Sequence, residues 1–242
     1  MIQEPSVLTI DSALVLQTRI GLDFIASLNT ELDILLSDSE RIDYSNKLVG
    51  QIKNGEQLEL SKDNQIFKKI HKLSECMAEQ YADKFFKKYN RLNIFKSAIS
   101  SKVWSVHQYN NDYNPIHNHR SYERKIGLSF ILWTKIPSNM YNNNAISSFN
   151  SSGMLDGCTV LASTLNGPDY DFYPPGMQLF KPEIGKFIIF PDWLYHMVYP
   201  FSVDGERRTI AGNVELFTER KAASNIFGSE NLEKWREKQM FY

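Results

Sequence analysis

Hydrophobic positions in the first third of the chain recur with the spacing of amphipathic helices. Apolar side chains recur every three or four positions over residues 22–36, and they form one long stripe over residues 64–89. Asp63 or Asn64 is suited to cap the second stretch, and Asn90 is suited to end it. The pattern therefore predicts two helices.

From Leu92 onward the spacing changes to the two-residue alternation of strands. Residues 94–109 and 126–136 are predicted as long strands. The segment 48–60 contains an Asn-Gly pair that suits either a short hairpin or a loop. Shorter strands, separated by turns rich in Gly and Pro, are predicted at residues 5–16, 158–163, 177–181, 185–190, 196–199 and 208–217.

This order of elements predicts an α+β fold with a double-stranded β-helix core, that is, a cupin-like jelly roll. A single domain is expected, with a helical support region at 1–91, a jelly-roll core at 92–218 and a C-terminal helical tail at 219–242. Within the tail, residues 230–239 are predicted as a short helix.

Composition narrows the range of functions. The 242 residues carry a formal charge of -1, which argues against a nucleic-acid partner. No apolar run reaches transmembrane length, and the N-terminus lacks the basic start and apolar core of a signal peptide. Cys76 and Cys158 form no disulfide framework. A soluble, cytoplasmic protein without a membrane partner is expected, and no oligomeric state is indicated.

Two histidines separated by a single residue follow the strand predicted at residues 94–109. Residues 110–115 are rich in Asn, Asp and Pro, as turns are, and His117 and His119 come next. In an extended backbone, residues two apart point to the same side, so both imidazoles can face one point. The pattern predicts a metal site, although a polar turn at the protein surface could have the same sequence pattern.

A third histidine and an arginine complete the candidate site. His196 follows an apolar strand and a Pro-Asp turn, and Arg207 and Thr209 follow on the next strand. A jelly roll can bring such strand ends together. The planar guanidinium of Arg207 suits a carboxylate, because it donates two parallel hydrogen bonds. Its neighbour Arg208 points the opposite way on a strand, so only one of the two can face the site.

The segments H-x-H, GKFIIFPDWLYH and R-x-T, in this order and spacing, resemble the Fe(II)- and 2-oxoglutarate-dependent dioxygenases. The nearest likeness is to prolyl-hydroxylase-like oxygenases of marine bacteria and their phages, over residues 100–217. The resemblance implies a hydroxylase acting on a peptide, protein or small molecule, with peptidyl proline as the family-level substrate. Its implied cofactors are Fe(II), 2-oxoglutarate and O2, with ascorbate as a further candidate.

Carried over residue by residue, the resemblance implies that His117 and His196 bind iron and that Arg207 and Thr209 bind 2-oxoglutarate. It also implies that Tyr109 lines the pocket of this cosubstrate. Where the usual triad has a carboxylate, this chain has His119, which the H-x-H geometry favours as the third ligand. Two alternatives stay open at that position, either a contribution from Asp112 or Asp192 or an open coordination position.

Other residues are assigned more modest roles. His71 and His107 are interpreted as structural histidines. For Trp104, Trp133 and Trp193, a place in the core is favoured over a role as a substrate platform. An Asn/Ser-rich loop at 138–152 and an aromatic segment at 169–173 are the expected substrate contacts. The candidate contact residues are Tyr170, Phe172, Tyr173 and Trp193. Two competing functions are kept, namely a three-histidine cupin-type dioxygenase that does not use 2-oxoglutarate and a non-catalytic jelly-roll binding module.

Overall fold

The computed structural model describes residues 3–10, 13–120, 126–141, 153–163 and 176–218. Two helices, α1 (Leu22–Ser37) and α2 (Gln65–Lys88), match the two predicted stripes. The side chain of Asn64 caps α2 by accepting hydrogen bonds from the backbone N–H groups of Ile66 and Phe67. Asn90, with a φ of 51°, adopts the left-handed conformation that ends the helix.

Eleven strands in the described residues form two antiparallel sheets. Their bounds are β1 (Ser6–Ile10), β2 (Ala13–Arg19), β3 (Glu56–Glu59), β4 (Ser97–Gln108), β5 (Asn114–His117), β6 (Gly127–Lys135), β7 (Thr159–Ala162), β8 (Met177–Phe180), β9 (Lys186–Pro191), β10 (Tyr195–Val198) and β11 (Arg207–Phe217).

The larger sheet has seven strands in the order β1-β2-β9-β6-β11-β4-β3, and the smaller has four in the order β5-β10-β7-β8. Alternate residues of the larger sheet enter different cores. On β9, Phe187 and Ile189 join the core under the helices, whereas Ile188 and Phe190 join the core between the sheets. The fold is therefore the expected α+β double-stranded β-helix, with helices on the outer face of one sheet.

Two local features differ from or refine the sequence interpretation. Residues 114–115 belong to strand β5, although they were predicted as part of a turn. Pro115 is accommodated because β5 is an edge strand, where a missing N–H is tolerated. The segment 48–60 forms a loop followed by β3, which pairs with β4 rather than within a hairpin.

The predicted C-terminal helix lies outside the described residues, as do residues 142–152 of the predicted substrate loop and the segment that contains Tyr170, Phe172 and Tyr173. Of the helices that the structure describes, neither combines the length and apolar character that a membrane crossing requires.

Candidate metal and cosubstrate site

Strand pairing in the smaller sheet brings the first and third histidines together. His117 ends β5, and His196 lies opposite it in the register between β5 and β10. His119 lies two residues beyond β5, where its backbone N–H donates to the carbonyl oxygen of Asp192 at 2.9 Å. This hydrogen bond ties the H-x-H segment to the turn between β9 and β10. Distant parts of the chain thus meet at one point.

The three imidazoles form one cluster. Ring centroids are 4.2 Å apart for His117 and His196, 4.9 Å for His119 and His196, and 5.3 Å for His117 and His119. One nitrogen from each ring lies within 4.8 Å of the others. Three nitrogen donors at this spacing can approach a single metal ion.

Hydrogen bonds fix which nitrogen of each ring is free. The Nδ1 of His117 lies 2.8 Å from the carbonyl oxygen of Pro115, and that of His196 lies 3.2 Å from the carbonyl oxygen of Leu194. The Nδ1 of His119 lies 2.8 Å from the Oδ1 of Asn213. Because these oxygens only accept, each Nδ1 carries the proton, and each Nε2 keeps a lone pair for a metal.

Burial keeps these rings uncharged. Desolvation lowers the pKa of His117, and it lowers the pKa of His119 to about 4, with His117 adding to the effect. The pKa of His196 lies well below its ordinary value, again mainly because the ring is buried. Neutral imidazole is the form that binds a metal ion, so the donor set is ready for one at neutral pH.

The two aspartates considered as alternative ligands lie outside the metal-donor cluster. Both carboxylate oxygens of Asp112 accept backbone N–H groups, one from Lys53 and one from Tyr109, each at 2.8 Å. Burial raises the pKa of Asp192 to about 7, although the charge of Arg120 opposes the shift. Among the described residues, three histidines and no carboxylate form the cluster.

Arg207 lies in the same cavity as the histidines, with only 1% of its surface exposed. Its Nη1 donates to the Oε1 of Gln108 at 2.6 Å, its Nη2 to the Oγ1 of Thr159 at 3.2 Å, and its Nε to the carbonyl oxygen of Gly157 at 3.1 Å. Burial lowers its pKa to about 10, so the guanidinium stays charged at neutral pH. No carboxylate of the described residues forms an ion pair with it.

Arg208 points to the other side of β11, where Glu206 accepts from its Nε at 2.7 Å and Asp33 from its Nη2 at 2.5 Å. His107 belongs to this outer network, because its Nδ1 lies 2.7 Å from Glu206. His71 is buried between Ser100 and the backbone of Leu60. Neither histidine is part of the metal-donor cluster.

Thr209 lines the cavity, whereas Tyr109 and Trp193 do not. Side chains alternate along a strand, and Tyr109 shares with His107 the face opposite to Gln108. This face is the one near Glu206. Trp193 is half-buried against the core between the sheets. Trp104, interpreted as core, lines the cavity and lies 5.6 Å from the His119 ring.

Four residues that the sequence analysis did not single out contribute to the site, namely Gln108, Ser129, Thr159 and Asn213. Strand alternation could have found two of them. Gln108 shares a face with Trp104, and Asn213 follows Arg207 and Thr209 at even spacing along β11.

Comparison with known proteins points to one superfamily. The family model described as "Putative 2OG-Fe(II) oxygenase" matches residues 102–213. No curated protein matches the chain. Among solved structures, a prolyl-4-hydroxylase of Pseudomonas putida shares 10% identity and a TM-score of 0.51, over 88% of this chain and 92% of that one.

Two further structures show the same fold with different ligands. A prolyl hydroxylase from Trichoplax adhaerens, in complex with a hypoxia inducible factor peptide, has 14% identity and a TM-score of 0.50, over 90% of this chain and 86% of that one. HygX of Streptomyces hygroscopicus, with nickel, 2-oxoglutarate and hygromycin B bound, has 10% identity and a TM-score of 0.51, over 85% and 83%.

At these identities the solved structures establish the fold, while the family model covers all three histidines and Arg207. The resemblance found from the sequence is thereby confirmed. Residues 102–213 thus match a family of Fe(II)- and 2-oxoglutarate-dependent oxygenases, a class of oxidoreductases.

Proposed function

We propose that the protein is a hydroxylase that uses Fe(II), O2 and 2-oxoglutarate to oxidise a C–H bond of a peptide or a small molecule. The observation that carries the proposal is a charged guanidinium buried in the same cavity as three neutral imidazoles. A buried cation without a counter-ion is costly, so the cavity is suited to an anion. A keto acid that also chelates a metal meets both requirements.

In this proposal His117, His119 and His196 hold the iron through their Nε2 atoms. Hydrogen bonds from each Nδ1 to an oxygen hold the rings in that orientation. Three neutral ligands leave the iron with one more positive charge than the usual set of two histidines and a carboxylate. We expect the extra charge to favour an anionic keto acid.

Arg207 and Thr209 are the proposed binding residues for the far carboxylate of 2-oxoglutarate. Of the five N–H groups of Arg207, three donate to acceptors among the described residues, and one on each terminal nitrogen is left. Two such donors match the two oxygens of a carboxylate. The hydroxyl of Thr209, in the same cavity, can donate a further hydrogen bond.

When bound, iron and 2-oxoglutarate supply the oxidising chemistry, which releases succinate and CO2. The chain would position the metal ion and the cosubstrate and surround them in part with apolar side chains. Apolar side chains of Val106, Ile131 and Ala211 line the cavity between the sheets, and Phe190 packs edge-on against His196. These apolar side chains cover part of the cavity wall and limit the access of water there.

The substrate class is proposed from the neighbours, which include one enzyme bound to a peptide and one bound to hygromycin B. Peptidyl proline is the first substrate to test, because prolyl hydroxylases are among the structural neighbours. Tyr170, Phe172, Tyr173 and Trp193 stay candidate substrate contacts, with ascorbate as an optional addition to assays.

A second candidate function keeps the iron but not the cosubstrate. It is favoured by the absence of a carboxylate from the metal-donor cluster in the described part of the chain. A three-histidine oxygenase would act on its substrate with O2 directly, and Arg207 would then bind a carboxylate of the substrate itself.

The test measures binding before turnover. Wild-type protein loaded with Mn(II) should bind 2-oxoglutarate in calorimetry, and with Fe(II), O2 and a candidate peptide it should release succinate. The variant Arg207→Ala should lose roughly a hundredfold or more in 2-oxoglutarate affinity, because a charge-assisted bidentate contact is removed. Arg41→Ala, which removes an arginine paired with Glu56, is the matched control.

Two results would contradict the proposal. The first is absence of 2-oxoglutarate binding by the Mn(II)-loaded wild-type protein. The second is oxidation of a substrate by O2 without succinate, which would support the three-histidine oxygenase instead.

A further inference from the structure

Gln108 is the last residue of β4 and lies beside Arg207. The two residues are paired in the register between β4 and β11, and Gln108 is 1% exposed. Its Oε1 accepts from the Nη1 of Arg207 at 2.6 Å. Its Nε2 is buried and has no hydrogen-bond partner among the residues that the structure describes. A buried donor left without an acceptor is costly, and such groups are rare in folded proteins.

The orientation of the Gln108 amide follows from chemistry. A guanidinium can only donate hydrogen bonds, so the end of the amide that faces Arg207 is the oxygen. The NH2 group is then the end that remains for another partner, and it can only donate. Gln108 lines the cavity that contains Arg207 and the histidines. A partner for this NH2 group must therefore be an acceptor that occupies the cavity.

The charge beside Gln108 narrows the partner further. Arg207 is a buried cation whose partners among the described residues are neutral, namely Gln108, Thr159 and the backbone of Gly157. An acceptor that sits next to both groups is favoured when it is an anion. One oxygen of a carboxylate could accept from Arg207 while the other accepts from the amide.

We propose that Gln108 is a binding residue for the far carboxylate of 2-oxoglutarate, which it contacts through its NH2 group beside Arg207. This inference rests on the proposed function. Gln108 also acts as a specificity determinant, because its NH2 group finds an acceptor only in a ligand with a carboxylate at that end. A keto acid that ends in a methyl group offers no acceptor to the NH2 group of Gln108 or to the remaining N–H groups of Arg207.

The residue type matters as much as its position. A glutamate at position 108 would neutralise Arg207 and place a negative charge against the incoming carboxylate. A leucine would remove both the donor to the ligand and the acceptor of Arg207, without adding charge. The two substitutions therefore separate the loss of a hydrogen bond from the gain of a repulsion.

The experiment compares two ligands that differ only at the far end. Calorimetry on Mn(II)-loaded protein measures the affinity for 2-oxoglutarate and for 2-oxopentanoate, which has a methyl group in place of the far carboxylate. We expect Gln108→Leu to weaken 2-oxoglutarate binding by roughly tenfold or more and to leave 2-oxopentanoate binding unchanged. Gln108→Glu should weaken 2-oxoglutarate binding further than Gln108→Leu does.

Controls report on fold and metal site. Gln178→Leu removes another glutamine amide, on β8 and outside the cavity, and should bind both ligands as the wild type does. Mn(II) affinity and the thermal midpoint of each variant show whether the protein is folded with an intact metal site.

The outcomes distinguish a failure of this inference from a failure of the proposed function on which it rests. Equal weakening of both ligands in Gln108→Leu would show a structural role only and would overturn the inference, as would unchanged 2-oxoglutarate binding. Absence of 2-oxoglutarate binding by the wild-type protein would overturn the proposed function, and this inference with it.

Discussion

The Nδ1 of His119 lies 2.8 Å from the side-chain Oδ1 of Asn213, whereas the other two clustered histidines donate to backbone oxygens two residues before them. Ser129 donates to the same Oδ1 at 3.0 Å and lies opposite Asn213 in the register between β6 and β11. The His119 ring is thus held by side chains of the larger sheet. Its orientation depends on tertiary structure rather than on local backbone.

Removing the amide should therefore weaken the proposed metal site. We expect Asn213→Ala to lower the affinity for Mn(II) or Co(II) by roughly 10- to 100-fold, the usual cost of losing a hydrogen bond to a metal-binding histidine. Calorimetry measures this change. In Ser101→Ala, a hydroxyl that donates to the backbone oxygen of Asn213 is lost while the amide stays, so its metal affinity should equal that of the wild type. Equal affinities in all three proteins would refute the positioning role.

Direct ligation by His119 is tested by truncation and by replacement. His119→Ala should weaken Mn(II) binding as severely as His117→Ala, roughly a hundredfold or more, because each would remove one of three ligands. His119→Asp should retain binding, since two histidines and a carboxylate form the usual non-haem iron site. His71→Gln alters a buried histidine elsewhere and should lower stability without changing metal stoichiometry. If His119→Ala binds Mn(II) like the wild type, the third ligand lies elsewhere.

Only some of the residues in this site can be predicted from the sequence. The chain has only five histidines, and a histidine or arginine at the end of a predicted strand suggests a binding site. His117, His196 and Arg207 could therefore be identified from the sequence. Gln108 and Asn213 are ordinary residue types whose importance depends on which residues they face across a ladder. Gln108 faces Arg207 across β4 and β11, and Asn213 faces Ser129 across β6 and β11. These partners are 99 and 84 residues apart in the sequence, and no local pattern encodes the pairing.

Elements of the fold were predictable to different degrees for the same reason. The stripe of α2 is long and capped by Asn64, so local signals agree. Strand β5 was missed because Pro115 and the asparagines before it favour a turn, and only pairing with β10 makes the segment extended. Tertiary contacts overrode the local preference there.

Glu206, the residue immediately before β11, carries a buried carboxylate that should govern stability in acid. Burial alone would raise the pKa of Glu206, but hydrogen bonds from His107, Arg208 and Lys135 hold it well below its ordinary value. The unfolded chain then takes up the proton first as the pH falls. The stabilisation is complete above about pH 5 and is lost progressively below about pH 4.

The variant Glu206→Gln should be less stable than the wild type by about 2 to 4 kcal/mol at pH 7, because it removes the anion from a buried cationic group. The difference between the two proteins should shrink between about pH 5 and pH 3, and it isolates this carboxylate from other acid-sensitive groups. Urea unfolding at a series of pH values measures it. Glu59→Gln, at an exposed position on β3, should show no such trend. A gap that stays constant with pH would contradict the assignment.

Gly212 is a packing constraint next to the site. A Cβ at this position would lie 2.5 Å from the backbone oxygen of Lys102 and 2.6 Å from the Cε1 of Phe130. Because one of these atoms is backbone in a paired strand, Gly212→Ala should cost about 1 to 3 kcal/mol in the free energy of unfolding. Denaturant titration checks the value, and Phe130→Leu in the same chain should recover only part of it, since the clash with Lys102 remains.

At Gly176 a Cβ would meet a single atom at 3.8 Å, so Gly176→Ala should be close to neutral. Equal stability of the two alanine variants would show that β11 can shift to admit a side chain, and the close approach of β4 to β11 at this position would then not be required.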